Sequence, residues 1–300
     1  MGKILVTGST GLVGSALLPD LRSQGHEVLR LVRSQAKAGA TEIYWNPEQG
    51  IEDRARLEGL DAVVHLAGEN ISEGRWTEEK KKRIRDSRVK GTRTLSDALA
   101  SLKQPPRTLL SASAIGYYGS QGDRVLTEED APGSDFLAGV CREWEAATEP
   151  AAQSGIRVVL LRFGVILTSK GGALSKMLAP FQFGVGGRLG SGRQYMSWVT
   201  LDDVVGIINH ALLNEALSGP VNVVAPHLVT NYEFTKTLGR VLSRPTIFPV
   251  PAFAIRLAFG EMGDAALLGS TRVEPARLKE SGYAFQHPEL EDALRQMLKK

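Results

Sequence analysis

A glycine-rich turn at residues 8–14 constrains the fold of this chain more than any other feature. Residues 3–14 read KILVTGSTGLVG, in which a short apolar run ends at a turn and glycines recur at positions 8, 11 and 14. This order predicts a strand, a tight turn and a helix. Such a turn gathers free backbone N–H groups and the positive end of a helix dipole, which suits a pyrophosphate. Gly8 allows the turn, Gly11 the approach of phosphates, and Gly14 the contact between helix and strand.

The first half of the chain continues this alternation of strand and helix. Regular alternation predicts parallel strands with helices on both faces, and the first strands are continuous apolar runs, as buried parallel strands are. We therefore predict the α/β class, with a Rossmann, doubly wound parallel sheet in strand order 3-2-1-4-5-6 and a ligand crevice at the carboxyl ends of its strands. The expected strands are Ile4–Val6, Glu27–Val32, Ala62–Leu66, Thr108–Ala112 and Val158–Arg162. The expected helices are 12–23, 78–101 and 137–153.

The pattern changes after about residue 165. Glycines cluster at 171–172 and again from 184 to 192. We interpret residues 1–165 as a dinucleotide-binding Rossmann domain, and residues 166–300 mostly as a smaller, partly helical substrate cap interwoven with the sheet. The helices expected there are 202–215, 231–243, 252–269 and 288–299.

Charge and cysteine content narrow the classes of partner. The 300 residues include 36 basic and 33 acidic side chains, which are interspersed, so the net charge of +3 favours a small anionic molecule over nucleic acid. The single cysteine excludes an internal disulfide and a cysteine-based metal site. No histidine has metal-ligand spacing, and His65 is expected to be a hydrogen-bonded core residue. The dense charge run at 77–88 is expected to be a solvated helix face.

The sequence supports only general expectations about localisation and assembly. No apolar run is long enough to span a membrane, and the amino-terminal segment does not resemble a signal peptide. We therefore expect a cytoplasmic protein without a membrane partner. The sequence does not indicate an oligomeric state.

The end of the second strand bears on which nicotinamide cofactor the turn would bind. An NAD-binding fold places Asp or Glu about 20 residues after the last glycine, where the carboxylate accepts hydrogen bonds from the adenosine ribose. This chain has Val32 at that position, followed by Arg33. A guanidinium grips a 2′-phosphate that a carboxylate would repel, so the sequence favours NADP(H). The alternative is that Arg33 is solvated and that other groups hold NAD.

Several further motifs carry a resemblance to a known family. They are Gly8-x-x-Gly11-x-x-Gly14, His65–Ile71, Ser111–Gly119, Trp144-Glu145 and Trp198-Val199-x-x-Asp202-Asp203-Val204. With these motifs the chain resembles, over essentially its whole length, the extended short-chain dehydrogenase/reductase superfamily, and most of all its atypical branch, the sugar-nucleotide-epimerase-like epimerase family. The resemblance implies cofactor contacts at Gly8, Thr10, Gly11, Leu12, Val13, Arg33, Leu66, Ala67, Glu69, Arg88, Gly164 and Val165.

The resemblance also implies hydride chemistry that needs a Ser or Thr, a Tyr that transfers a proton, and a Lys four residues after that Tyr. Ser113 has the serine position, at the end of its strand. Leu137 and Cys141 stand where the tyrosine and the lysine are expected, so the Tyr-x-x-x-Lys pair is absent there. Two hypotheses remain open. Either Tyr117 or Tyr118, in the loop after Ser113, is the proton donor, or the chain binds and senses NADP(H) without catalysis.

The sequence signals for the substrate side of the crevice are less specific than those for the cofactor side. By resemblance, Arg162 borders both the nicotinamide and the substrate. The glycine-rich segment that ends at Trp198 offers Arg188 and Arg193 as groups that bind phosphate or carboxylate when the loop closes over a ligand. Trp198 itself is a further candidate substrate residue. The alternative is a surface loop with solvated arginines. Asp202 is predicted to cap the following helix, and the expected partner is a small polar substrate that the sequence does not identify.

Overall fold

A sheet of eight strands, of which only the last is antiparallel, forms the centre of the computed structural model, which describes residues 2–35 and 39–298. The strands are β1 Lys3–Thr7, β2 Glu27–Val32, β3 Glu42–Asn46, β4 Gly50–Ile51, β5 Ala62–His65, β6 Thr108–Ala114, β7 Val125–Leu126, β8 Arg157–Phe163, β9 Val165–Leu167, β10 Tyr195–Met196, β11 Trp198–Thr200, β12 Gly219–Val223, β13 Val229–Thr230 and β14 Arg272–Val273. The helices are α1 Leu12–Ser23, α2 Glu78–Ala100, α3 Phe136–Ala146, α4 Glu149–Gln153, α5 Gly172–Gln182, α6 Leu201–Leu213, α7 Asn231–Leu242, α8 Ala252–Phe259, α9 Glu261–Gly263, α10 Ala276–Glu280 and α11 Leu290–Leu298. None of the helices within the described ranges combines the length and the apolar character needed to cross a bilayer.

The strand order β12-β8-β6-β5-β1-β2-β3-β4 confirms the predicted doubly wound α/β sheet. Three strands of this sheet, β3, β4 and β12, were not among the expected strands. Of these, β3 pairs with β2 over Arg30–Val32. The segment Ala62–Leu66 is therefore the fourth strand of the order and not the third. β5 pairs with β1 on the side opposite β2, so the order of strands reverses between β1 and β5. The carboxyl ends of these two strands border the expected crevice.

Alternating side chains of β1 show how both faces of the sheet are covered. Ile4 and Val6 face one side and pack into a cluster with α1 and α6, whereas Leu5 faces the other side and packs with α2. The helix residues of these two clusters include Leu17, Leu21, Val204 and Ile207 on the first face, and Leu95 and Leu99 on the second. Since both faces are buried, the strand appears in the sequence as a continuous apolar run.

The carboxyl-terminal part of the chain adds a strand to the sheet and also forms a core of its own. β12 pairs with β8, with Gly219 opposite Val159 and Val223 opposite Phe163. A separate apolar cluster forms around Trp198 and includes residues of α5, α7 and α11. The chain after residue 165 therefore contributes both a strand to the sheet and residues to a separate apolar cluster.

The start of α6 corrects one prediction. Thr200, and not Asp202, caps the helix, because its hydroxyl accepts a hydrogen bond from the backbone N–H of Asp203 at 3.0 Å. Asp202 is exposed. The buried Asp203 carboxylate accepts hydrogen bonds from the backbone N–H groups of Gln286 at 2.7 Å and His287 at 3.1 Å. Asp203 thus attaches the segment before α11 to the start of α6.

Replacement of Gly14 by alanine should destabilise the protein by about 2 kcal/mol or more. A Cβ there would lie 2.4 Å from the carbonyl oxygen of Gly8 and 2.7 Å from the Cα of Ser9, both of which are backbone atoms that cannot move aside. Urea unfolding measures the effect. Gly139→Ala in α3 is the matched control, because a Cβ there meets nothing within 4 Å and should stabilise the helix by about 0.5–1 kcal/mol. Equal stability of the Gly14→Ala and parent proteins would contradict this packing.

Candidate cofactor and active site

The glycine turn between β1 and α1 leaves the start of a helix open. Gly8 has a φ of +64°, which glycine adopts without strain. Gly11 precedes α1 and makes no side-chain cap, so the first N–H groups of the helix are free to bind a ligand. Thr10 and Gly11 are exposed at the tip, and Leu12 and Val13 are half-buried behind them. This arrangement fits a pyrophosphate.

A chain of buried hydrogen bonds attaches the end of β5 to this turn. Thr7 Oγ1 accepts hydrogen bonds from the backbone N–H groups of Leu66 at 3.1 Å and Ala67 at 3.2 Å. Both lone pairs of that oxygen are thereby used, so its hydrogen is donated to His65 Nδ1 at 2.7 Å. The other ring nitrogen, Nε2, carries the hydrogen and lies 3.0 Å from Thr92 Oγ1. His65 is a neutral, hydrogen-bonded core residue, and burial lowers its pKa to about 4.

Arg88 brings positive charge to the same end of β5. Its guanidinium carbon lies 5.0 Å from the centre of the Trp144 ring, and a Cβ at Gly68 would lie 3.3 Å from it. Nη1 donates a hydrogen bond to the carbonyl of Ile84 at 3.1 Å, and no described carboxylate forms an ion pair with it. Burial lowers the pKa of Arg88, although a guanidinium stays charged in proteins. A largely buried cation without a counter-ion fits an anionic or hydrogen-bond-accepting ligand.

Arg33 and Glu69 lie in the loops that follow β2 and β5. Arg33 is exposed. Glu69 accepts a hydrogen bond from Lys80 Nζ at 2.8 Å, and this bond, with the nearby charges of Lys80, Arg83 and Arg33, lowers the pKa of Glu69. The expectation that the lysines of residues 77–88 are all solvated is wrong for Lys80, which is 6% exposed. Its position four residues before the buried Ile84 is the sequence signal for this.

Ser113 belongs to a buried polar network that joins β6, α3, β8 and β12. Its hydroxyl donates a hydrogen bond to Glu145 Oε1 at 2.6 Å. Arg162 donates to both oxygens of the Glu145 carboxylate at 2.8 Å, and its Nη1 donates to the Tyr118 hydroxyl at 2.9 Å. The Tyr118 hydroxyl in turn donates to Asn222 Oδ1 at 2.7 Å. Burial alone would lower the pKa of Arg162, but the hydrogen bonds and the charge of Glu145 raise it overall.

The two adjacent tyrosines have different surroundings. Tyr118 is wholly buried, and burial raises the pKa of its hydroxyl to about 12. Tyr117 is half-buried, and its ring centre lies 3.5 Å from the guanidinium carbon of Arg162. Its hydroxyl makes no hydrogen bond with any described residue. Of the two, Tyr117 has the hydroxyl that a ligand can reach.

Apolar packing occupies the positions where the superfamily's tyrosine and lysine were expected. A Cβ at Gly116 would lie 3.4 Å from Leu137 Cβ and 3.8 Å from Cys141 Sγ, so both side chains pack against the turn that carries Tyr117. Burial raises the pKa of the Cys141 thiol to about 12, which keeps the thiol protonated and unreactive. These two positions supply no proton-transfer group.

One Tyr-x-x-x-Lys pair does occur in the chain, away from the position that the resemblance predicts for it. Tyr232 and Lys236 lie on α7 of the cap, and the Lys236 ammonium is 5.6 Å from the centre of the Tyr232 ring. Both line a cavity of about 200 Å³ that also contains Arg188. The lining of this cavity includes no member of the Ser113 network, so the pair does not replace the missing one.

The remaining predicted residues lie in three different environments: crowded backbone, the buried core and the exposed surface. Gly164 and Val165 follow β8 in crowded backbone, because a Cβ at Gly164 would lie 2.7 Å from the carbonyl oxygen of Ser197. Trp198, a candidate substrate residue, is wholly buried in the cap core, where its indole N–H donates to the carbonyl of His227 at 3.0 Å. Its side chain therefore supports the fold and is not available to a ligand. Arg188 and Arg193 are exposed, as solvated arginines are.

Two family profiles match parts of this chain, and named relatives match nearly all of it. The profile of the NAD dependent epimerase/dehydratase family matches residues 4–224, and that of a domain of unknown function, DUF1731, matches residues 250–297. The epimerase family protein Mb2239 of Mycobacterium bovis is 48% identical over 291 residues, which cover 97% of this chain and 96% of that protein. The human epimerase family protein SDR39U1 is 37% identical over 300 residues, covering 99% of both chains.

Solved structures give the same result. The crystal structure of human SDR39U1 isoform 2 with NADPH superposes with a TM-score of 0.90 at 35% identity, covering 99% of each chain. A structure described as a nucleoside-diphosphate sugar epimerase, from Corynebacterium glutamicum, has a TM-score of 0.82 at 37% identity, covering 99% of this chain and 58% of that one. MoeE5, solved with UDP-glucuronic acid and NAD, is 20% identical with a TM-score of 0.77 and is similar in fold alone.

Acidification should destabilise the protein through His65. Its pKa of about 4 in the folded state lies below the 6.5 of an unfolded chain, so between these pH values the unfolded state binds the proton more readily. The free energy of unfolding should therefore fall by about 3 kcal/mol as the pH drops from 6.5 to 4. Urea unfolding across this range measures the loss.

Two variants isolate the contribution of His65. His65→Gln should be less stable at neutral pH, because it loses the bonds to both threonines, but should show a smaller loss on acidification. His227→Gln, at an exposed position, should keep the parent's acid-dependent loss. An unchanged slope in His65→Gln would assign the acid sensitivity to other groups.

Proposed function

This chain belongs to the NAD dependent epimerase/dehydratase family, and we propose that it is an NADP(H)-dependent oxidoreductase or epimerase-like enzyme that acts on a small polar substrate bearing a hydroxyl group. The observation that carries this proposal is Tyr117, whose unpartnered hydroxyl (among the described residues) belongs to a ring stacked on the buried Arg162. The relative solved with NADPH, at 35% identity over the whole chain, supports the choice of cofactor.

The glycine turn and its neighbours are proposed to hold the cofactor. The exposed Gly11 and the uncapped start of α1 leave backbone N–H groups open to a pyrophosphate. Gly8 and Gly14 keep the turn tight, because a Cβ at either position would collide with neighbouring backbone. Arg33, exposed after β2, is placed to bind a 2′-phosphate. When bound, NADP(H) supplies or accepts a hydride. The other proposed contacts are Thr10, Gly11, Leu12, Val13, Leu66, Ala67, Glu69, Arg88, Gly164 and Val165.

Arg162 is proposed to take over the electrostatic part of the missing lysine. Its guanidinium carbon lies 3.5 Å from the centre of the Tyr117 ring, where positive charge attracts the negative charge that develops on the phenol oxygen as a proton leaves. Glu145 holds the guanidinium through two hydrogen bonds, so the cation keeps its position without a ligand. Tyr117 then transfers the proton, and Tyr118 positions Arg162.

The hydrogen bond of Ser113 indicates which group of a substrate it meets. A carboxylate paired with a guanidinium only accepts hydrogen bonds, so the single hydrogen of Ser113 is committed to Glu145. The buried serine oxygen therefore has only lone pairs left for a ligand, and we propose that it accepts a hydrogen bond from one. A substrate hydroxyl can donate that bond, whereas a carbonyl cannot. This favours a substrate that presents a hydroxyl group.

A second candidate function is a protein that binds NADP(H) and reports its redox state without catalysis. The apolar packing of Leu137 and Cys141 at the usual catalytic positions favours this alternative. The two functions differ in whether any alcohol or carbonyl compound changes the absorbance of the bound cofactor.

The preference for a phosphorylated cofactor depends on Arg33. Calorimetry should give an affinity for NADPH at least about tenfold higher than for NADH, and Arg33→Asp should abolish this difference, because a carboxylate repels the 2′-phosphate. Arg142→Asp on the exposed face of α3 changes the net charge equally and should leave the preference intact. Equal affinity of the parent protein for the two nucleotides would contradict the assignment.

Turnover should depend on the hydroxyl of Tyr117. Sugars, aldehydes and quinones are offered with NADPH and polyols with NADP⁺, and cofactor absorbance is followed. Tyr117→Phe keeps the ring on Arg162 but removes the hydroxyl, so it should lower kcat at least about tenfold while NADPH affinity is unchanged. Ser113→Ala should raise KM for a hydroxyl-bearing substrate. Turnover that is unaffected by Tyr117→Phe would reject this tyrosine, and the absence of turnover with every compound would favour the sensing function.

A further inference from the structure

Exposed apolar side chains are concentrated on one part of the cap. Ten large apolar side chains among the described residues have more than a third of their surface exposed, and only Val125 and Leu213 of these lie outside the cap segments 183–185, 232 and 247–259. The most exposed is Phe183, at 83%. Single exposed apolar residues are normal, but a cluster of eight marks a contact surface.

These residues form one continuous surface, because the loop after α5 runs alongside the segment that leads into α8. Gly190 N–H donates to the carbonyl of Val250 at 2.8 Å, and Val250 N–H donates to the carbonyl of Arg188 at 2.9 Å. On α8, Phe253 and Leu257 lie one turn apart and face outwards, whereas Ile255 is buried. We call this surface the cap face; its main apolar residues are Phe183, Val185, Ile247, Phe248, Phe253 and Leu257.

The two segments that carry most of the cap face hold side-chain charges of one sign, and of these charges Arg256 is paired with Asp264, which lies beyond them. Residues 170–193 and 234–260 contain lysines and arginines but no aspartate or glutamate. Arg188, Lys236 and Arg244 each donate to a backbone carbonyl, at 2.7, 3.2 and 2.9 Å respectively. None of the three has an ion pair with a carboxylate in the part of the chain that the structure describes. The surface is therefore complementary to an anionic partner.

A cavity of about 200 Å³ opens within this surface. Arg188 and Lys236 supply two cations to its lining, and Tyr232, Thr235 and Thr246 supply hydroxyl groups. Ile247 adds an apolar side chain that is 68% exposed. Two cations with adjacent hydroxyls bind a phosphate group, and apolar side chains beside them fit the start of a hydrocarbon chain.

We propose that the cap face binds the surface of an anionic phospholipid bilayer, with a headgroup phosphate in the cavity and the aromatic and aliphatic side chains in the interfacial zone. A second copy of the chain fits less well, because a symmetric contact would place Arg188, Lys236 and Arg244 against the same cations. The sequence expectation of no membrane partner rested on the lack of a spanning segment, and peripheral binding needs none. The inference is independent of the proposed catalysis.

Vesicle co-sedimentation of the full chain tests this inference. Vesicles of phosphatidylcholine with about 30% phosphatidylglycerol should bind the protein at least about tenfold more tightly than vesicles of phosphatidylcholine alone. Phe253→Ser with Leu257→Ser, and separately Arg188→Gln with Lys236→Gln, should each weaken this binding at least about tenfold. Leu213→Ser is the matched control, since Leu213 is 79% exposed outside the cap face and should bind as the parent does.

Three results would overturn the proposal. The first is the lack of binding to anionic vesicles by a parent protein that melts cooperatively, and the second is an equal loss of binding in Leu213→Ser. The third is a concentration-dependent dimer in light scattering that Phe253→Ser with Leu257→Ser converts to monomer, which would assign the cap face to a second copy. Binding of glycerol 3-phosphate is measured as well, with sodium chloride of equal ionic strength as the control. This experiment distinguishes binding of a bilayer from binding of a soluble phosphate ester. Saturable binding of the ester by a protein that does not bind the vesicles would reject the bilayer as the ligand.

Discussion

The buried ion pair between Arg162 and Glu145 is the interaction on which the centre of this structure depends. A buried guanidinium is tolerated only when its hydrogen bonds are satisfied, and here a carboxylate takes two of them while the Tyr118 hydroxyl takes another. Because Arg162 comes from β8 and Glu145 from α3, the pair joins the sheet to a covering helix at the mouth of the crevice. Ser113 and the ring of Tyr117 then take their positions from these two side chains.

The regular parts of the fold were predictable because they follow from local patterns. The glycine turn, α1, α2, α6 and α7 were placed within two residues of their observed ends, since periodicity and turn chemistry specify them. The strand β3 was missed because its burial alternates, so its sequence lacks the apolar run that identified the other strands. The helix α5 was missed because it starts at Gly172 and contains Pro180, which are both signals against a helix.

The individual residues of the candidate site could be predicted from the sequence, but the hydrogen bonds that connect them could not. Resemblance selected Ser113, Tyr117, Tyr118 and Arg162 singly, and the structure brings all four together. Glu145, which connects them, was noticed only as part of a motif, because a partner 32 residues from Ser113 and 17 from Arg162 leaves no periodic signal. Trp198 shows the opposite failure, since a motif residue with an aromatic ring fits a binding site and a core equally well, and here it lies in the core.

In the proposed mechanism, Arg162 on a strand takes the electrostatic role of the superfamily's lysine on a helix. This replacement changes how the site responds to pH. The cation that supports the tyrosine in the parent superfamily is an amine whose protonation shifts readily with its surroundings, whereas a guanidinium stays charged. In this chain the Glu145 carboxylate raises the pKa of Arg162 further, so the guanidinium stays charged. Arg162 therefore adds no pH dependence of its own to ligand chemistry at this site. In the proposed mechanism, Arg162 thus supplies a constant positive charge beside the Tyr117 ring.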